Sequence, residues 1–292
     1  MMNKSVLAIA WLGFAIGGST LWAQDAQRNR QGDQEWRLAV MTYTFNRFTL
    51  FEAIDKSKQA EAKYVETYSW QKISPAHGET KFEPTLAEDV RKQVKQKLAD
   101  AGVKLVGYYF HELKDEAAAR PVFAFCKDMG IEYIVSEPDP KNLPMLDKLA
   151  QEYKVKVAIH NHAKDPKRPE YTYWNPDEVM KALEGCSNWI GCCADNGHWA
   201  RSGLDGVEAI RKYRGRLVSM HLKDVNKIGP DAHDVPYGTG VVPMKDLLAA
   251  VQKMGFAGVF SIEYEHNMEN NQADVAQCVE YFNKVKADLG VK

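Results

Sequence analysis

The sequence predicts an α/β protein of the closed (β/α)8 TIM-barrel class, built as one domain, on three observations. Its apolar periodicity switches eight times between short strand-like runs and longer helical ones. No glycine-rich phosphate loop follows any of the strand runs, which speaks against an open dinucleotide-binding sheet. Acidic and imidazole residues collect where those runs end, the face on which such barrels place their chemistry.

The strand-like runs are 37–45, 64–68, 104–110, 133–136, 156–160, 189–194, 217–222 and 259–264. Between them, apolar residues recur three and four apart, as on one face of a helix. Leu86, Val90, Val94 and Leu98 form such a stripe over 85–101, and Val275, Val279, Phe282, Val285 and Leu289 form another from about residue 273. Gly102, Gly130, Gly215 and Gly255 stand where helices should stop, because glycine tolerates the left-handed conformation that ends them.

Residues 1–23 have the order of an export signal: Lys4, an apolar run over 6–16, then small residues up to Ala23. The apolar run is short for a membrane span, so it is expected to be removed, leaving no membrane segment. Residues 24–35 then form a polar, flexible leader and 36–292 the barrel, in a periplasmic or secreted protein. A net charge of −1, with Lys and Arg interleaved among acids, offers no basic face for a nucleic-acid backbone. A small-molecule partner is expected instead, and a homo-oligomer is compatible with this composition. The five cysteines, Cys126, Cys186, Cys192, Cys193 and Cys278, are odd in number and show no CxxC pair. They read as small buried hydrophobes rather than a disulfide framework or a thiolate metal site.

The candidate chemistry lies at Glu137, at His160-Asn161-His162, at Asp195-Asn196-Gly197-His198, at His221-Leu222-Lys223-Asp224 and at Glu263-Tyr264-Glu265. One such residue alone is more often structural. Five adjacent strand ends converging on one axis would bury charge that needs compensation, and a divalent cation supplies it. Carboxylate and imidazole ligands without thiolates suit Mn, Co, Mg or Zn. Residues two apart on a strand share a face, so His160 and His162, His221 and Lys223, and Glu263 and Glu265 each point the same way. The inner member of each pair should reach the metal and the outer one the substrate. Tyr43, Phe45, Tyr108, Tyr109, Tyr171, Tyr173 and Trp174 are candidates for an apolar sugar face, with barrel core the competing reading for those on strands. Glu66 either points inward toward substrate or is a buried structural acid, and the loop 226–240 is a candidate lid.

At these motifs the chain resembles the xylose-isomerase-like barrel superfamily of sugar isomerases, sugar epimerases, inosose dehydratase and AP endonucleases. The resemblance runs over nearly the whole of 36–292 and rests on DNGH, SMHLKD and SIEYE in order on strands six, seven and eight. It implies that Asp195, His221 and Glu263 are metal ligands. Many relatives take a fourth ligand from a strand-five Glu where this chain has Ala158, so Glu137 is expected to serve, with His160 second. The chain also resembles an exported branch described as sugar phosphate isomerase/epimerase, some of whose members are lyases on 3-keto-glycosides. That implies a metal-dependent isomerase or epimerase of an unphosphorylated sugar or keto-sugar acting through an enediolate. The expected catalytic groups are Glu137, Glu263, His162, His198 and Lys223. The expected substrate contacts are Tyr43, Glu66, His160, His162, Trp174, His198, Lys223 and Glu265. A lyase or dehydratase sharing the metal site, and a non-catalytic sugar-binding barrel, are the alternatives.

Overall fold

The computed structural model describes residues 35–111 and 113–291; the expected signal segment, and the leader up to residue 34, lie outside them. The eight barrel strands are β1 (Trp36–Met41), β2 (Tyr64–Tyr68), β3 (Lys104–Tyr109), β4 (Tyr133–Ser136), β5 (Lys156–His160), β6 (Ile190–Asp195), β7 (Leu217–Leu222) and β10 (Gly258–Ile262). All pair in parallel, in the order β1-β10-β7-β6-β5-β4-β3-β2, and close into a barrel. The two-residue strands β8 (Asp224–Val225) and β9 (Asp234–Val235) form a separate antiparallel ribbon beyond β7.

Among the described residues, nine α-helices follow in chain order: α1 (Leu50–Gln59), α2 (Glu88–Ala101), α3 (Glu116–Met129), α4 (Leu143–Tyr153), α5 (Pro176–Ala182), α6 (Asn196–Arg201), α7 (Gly206–Lys212), α8 (Met244–Lys253) and α9 (Gln272–Asp288). None of the described helices is long and apolar enough to cross a membrane. Gly102 and Gly130 cap α2 and α3 with positive φ, as the sequence indicates. Two boundaries differ from the periodicity. β1 stops at Met41 because Thr42–Phe45 coils into a 3-10 turn, where Thr42 Oγ1 donates to Gln71 and Thr44 Oγ1 donates to the Ile262 carbonyl. α2 begins at Glu88 rather than near 85, because the Leu86 amide closes a turn on the Glu83 carbonyl.

Strand parity divides the core in two. Ala39, Met41, Tyr133, Val135, Ala158, Cys193 and Val259 pack inside the barrel, while Val40, Ile134, Val157, Ile159, Cys192 and Phe260 face the helices. Continued toward the C-terminal strand ends, the inward parity brings up Glu137, His160, Asp195, His221 and Glu263. A register shift between Val65 and Glu66, against β3, accompanies the inward acid Glu66. The five cysteines are free thiols, four of them buried.

Candidate active site

Each motif at the mouth divides its work between inward side chains and residues that hold the strand ends. In HNH, His160 and His162 point inward with ring centroids 4.7 Å apart. Asn161 between them clamps β6: its Nδ2 donates to the Asp195 carbonyl at 3.0 Å and its Oδ1 accepts from the Asp195 amide at 2.9 Å. In DNGH, Asn196 repeats the clamp on Lys223, donating to its carbonyl at 2.5 Å and accepting from its amide at 3.1 Å. These reciprocal pairs extend the ladder past the last strand residues and satisfy buried backbone groups. Asp195 also caps α6, its Oδ1 accepting from the His198 amide at 2.8 Å. Gly197 is required by close approach, since a Cβ there would sit 2.5 Å from Lys223 Cβ.

The inward groups meet. Ligand atoms of His160, Asp195, His221 and Glu263 lie within 4.8 Å of one another, and all four residues are buried. Two further carboxylates orient the imidazoles. Glu66 Oε1 accepts from His221 Nε2 at 2.7 Å, while Glu66 Oε2 accepts from Tyr133 and Ser261 at 2.8 and 2.9 Å. Glu137 Oε1 lies 2.9 Å from His160 Nδ1 and also pairs with His162 Nδ1. His221 therefore presents Nδ1 to Glu263 at 3.1 Å, and His160 presents Nε2 toward Asp195 Oδ2 at 3.7 Å. His160 Nε2 is buried and makes no hydrogen bond.

That orphaned nitrogen, aimed at two carboxylates and a second imidazole, is how a cation site looks from its donors, and the group fits one divalent ion. The geometry groups His160, and not Glu137, with the three expected ligands. His160 joins Asp195, His221 and Glu263, while Glu137 is spent on the far nitrogen of His160. A second convergent set, Glu137, His160 and His162, shares that imidazole.

Electrostatics tell the same story. Burial opposes ionising Glu137, Asp195 and Glu263, yet their cationic partners win and hold all three carboxyls below the usual range. Burial likewise opposes charging His160, but the nearby carboxylates of Asp195 and Glu137 carry it to about 10. His221 is raised as well, against its burial, by Cys193, Glu263 and Glu66. The acid-rich pocket calls for positive charge, from the Lys223 ammonium, from protons on these imidazoles or from a metal. His198 behaves oppositely: burial, resisted by Asp195, holds it well below the ordinary imidazole value, so it is neutral.

Lys223, expected as a proton donor or substrate contact, is a buried ammonium. Its Nζ lies 2.7 Å from Asp195, 2.5 Å from Glu263 and 2.7 Å from Glu265. Those carboxylates overcome burial and raise its pKa well above the ordinary value, so it is better placed to neutralise acids than to release a proton. Glu66 is wholly buried among His221, Tyr133 and Ser261, which is the structural-acid reading rather than substrate contact. Of the loop aromatics, Tyr173 is buried with its hydroxyl on the Pro138 carbonyl, and Tyr171 accepts from the His162 amide at 2.7 Å. Trp174 packs under the Lys164 ammonium at 4.8 Å. Phe45 and Tyr108 are buried in the outer core.

The loop 226–240 is anchored at several points. Asp224 accepts from the amides of Val225, Gly238, Gly240 and Val242, Arg201 binds Asp234 at 2.6 Å, and the Gly229 amide donates to Ala200. Tyr43 does lie at the mouth, edge-on to Tyr68 at 5.3 Å. Sequence reasoning passed over Tyr68, Trp70 and His111, although β2 and β3 end beside them. It also gave no role to Tyr133 or Ser261, whose hydroxyls are visible only once Glu66 is placed.

A parallel eightfold barrel with carboxylates and imidazoles converging at its C-terminal mouth is the architecture that the family comparison also returns. The xylose isomerase-like TIM-barrel family matches residues 54–285, and the chain belongs to that family. A segment of 100 residues is 30% identical to an inosose dehydratase of Clostridium perfringens, covering 33% of this chain and 32% of that relative. The chain thus spans about a third of the length of that relative. Among solved structures, an uncharacterized protein from Parabacteroides distasonis is 29% identical, with a TM-score of 0.69 over 85% of this chain and 98% of that one. The IOLI protein with a bound zinc atom shares the fold at 17% identity and a TM-score of 0.66, over 87% of this chain and 99% of that one.

Proposed function

We propose that this protein is a metal-dependent isomerase or epimerase of an unphosphorylated sugar or keto-sugar, acting outside the cytoplasm. The observation that carries the reading is the buried, unpaired His160 Nε2 converging with Asp195, His221 and Glu263. These four residues would hold one divalent ion, of Mn, Co, Mg or Zn, which when bound supplies Lewis-acid stabilisation to adjacent carbonyl and hydroxyl oxygens.

The protein's own groups handle the proton. Glu137 takes the Nδ1 side of His162 and orients the ring, and with the side chain 37% exposed its Nε2 is the nitrogen that would serve as base. It removes the proton from the carbon between carbonyl and hydroxyl, leaving an enediolate. Return of that proton to the neighbouring carbon, with the hydroxyl proton passing to the former carbonyl oxygen, gives the isomer; delivery of a proton to the opposite face of the first carbon by a protonated acid across the mouth, while His162 keeps the proton it removed, gives the epimer. The His198 ring lies 4.8 Å from His162, neutral and with Nδ1 unpaired, and lines the same space. Glu137 itself accepts from His160 and Tyr109 besides His162, which suits it to orienting imidazoles more than to taking the substrate proton.

The inosose dehydratase likeness favours a second reading in which the enediolate expels a β-leaving group and His162, now protonated, supplies its proton. Metal analysis combined with product analysis tests both. His221→Ala is expected to lose stoichiometric metal and turnover together, and His162→Gln to lose turnover by about 10²–10⁴-fold while keeping metal. Full activity in metal-free His221→Ala would overturn the metal-dependent reading, and a parent protein with neither bound metal nor turnover would leave only a carbohydrate-binding barrel. Release of aglycone or water from a keto-glycoside, without aldose–ketose or epimer exchange, would select the elimination reading.

A further inference from the structure

The mouth of the barrel is chemically divided. The ends of β4 to β7 and β10 carry acids and imidazoles, whereas the ends of β1 to β3 carry rings. Trp70, just past β2, is two-fifths exposed, and the other large apolar residues so exposed among those described are Ile228 and Val241. Four rings brace it: Tyr68 tilted at 4.8 Å, Tyr109 edge-on at 5.9 Å, Tyr43 edge-on at 6.3 Å and His111 stacked at 5.8 Å. A large ring left partly in water yet fixed on several sides is preorganised for a ligand, since little side-chain freedom remains to be lost.

Its place relative to the polar half says which part of a ligand it meets. Tyr109 lies between the two halves, with its ring 5.9 Å from Trp70 and 5.8 Å from His160, and its hydroxyl donating to Glu137 at 3.3 Å. Trp70 thus stands one ring beyond Tyr109 as seen from His160. We infer that the aromatic wall built on Trp70 binds a second ring of the substrate, so that the substrate is a glycoside with a pyranose or aryl aglycone; its blocked anomeric carbon then leaves epimerisation or elimination beside a ring carbonyl, and not aldose–ketose exchange, as the reaction at the strand-end cluster. This rests on the reading of the strand-end cluster as a sugar site. It adds no chemical step.

The test is titration of the metal-loaded full-length mature protein by calorimetry. The ligands are paired methyl and phenyl glycosides of glucose, galactose, mannose and xylose, with a β-1,4-linked disaccharide of each as a third arm. For at least one sugar, the phenyl glycoside or disaccharide is expected to bind about tenfold more tightly than the methyl glycoside. That preference should disappear in Trp70→Ala and largely survive in Trp70→Phe, a comparison that separates ring stacking from a folding defect. The arm that shows the preference identifies an aryl or a sugar aglycone. Equal affinities across all three arms, absence of binding in all of them, or a preference unchanged in Trp70→Ala would overturn the inference. Metal content of the same samples reports separately on the underlying site: substoichiometric metal with an intact aryl preference would overturn the metal reading and leave the second-ring site standing.

Discussion

At the scale of single residues, two inner imidazoles, His160 and His221, are each held at one nitrogen by a carboxylate that the sequence ranked differently. Glu137 and Glu66 come from different strands, yet each fixes a ring so that its other nitrogen enters the cluster. Such partners typically govern metal affinity by 10–100-fold. Glu66→Gln is therefore expected to weaken metal binding by about that factor, read by chelator competition, with the four ligands intact. Unchanged affinity would mean that Glu66 serves only Tyr133 and Ser261. The facing of His160 with His162, His221 with Lys223, and Glu263 with Glu265 was legible from parity, because a strand alternates faces whatever surrounds it. That Lys223 would be enclosed by three carboxylates was not, since those acids lie 28 to 42 positions away.

At the scale of elements, short motifs work as joints. Gly197 lets α6 lie against β7, and Gly197→Ala should lower stability by about 1–3 kcal/mol in denaturant unfolding, the usual cost of overpacking a tight contact. The β8–β9 ribbon is pinned by Asp234, whose carboxyl burial pushes up from 3.8 to about 6 despite Arg201 and Lys223. A raised folded value means that the folded protein holds this proton more tightly than the unfolded chain. The contribution to stability is thus complete below about 3.8 and is lost as pH rises toward and through 6. Asp234→Asn should be less stable overall, because it strands Arg201, but its melting temperature should fall less than that of the parent protein between pH 4 and 7. A parallel decline in both proteins would show that Asp234 does not titrate there. The helical stripes on α2 and α9 were readable from spacing, whereas the 3-10 turn after β1 was not, because its hydrogen bonds go to Gln71 and Ile262.

At the scale of the whole molecule, closure joins the first and last strands of the barrel. β1 pairs with β10, Trp36 Nε1 donates to the Phe256 carbonyl, and α9 covers the seam through Phe282, packed on Trp36 and Phe260. Phe282→Ala is expected to cost about 3–5 kcal/mol, measured by the shift of the unfolding midpoint. A loss well below 1 kcal/mol would show that the seam does not depend on α9.

The sequence by itself determined the strand and helix alternation, the barrel class, and which residues stand at the strand ends, because these follow from local periodicity and from a face rule that holds along any strand. Only the tertiary structure decided that His160 rather than Glu137 joins the convergent four, that Glu66 is a buried support, and that the rim aromatics gather around Trp70 instead of Trp174. Those outcomes depend on how strands distant in sequence are registered around a closed barrel, where shifts of a few ångströms decide which polar atoms pair and which are left for a ligand.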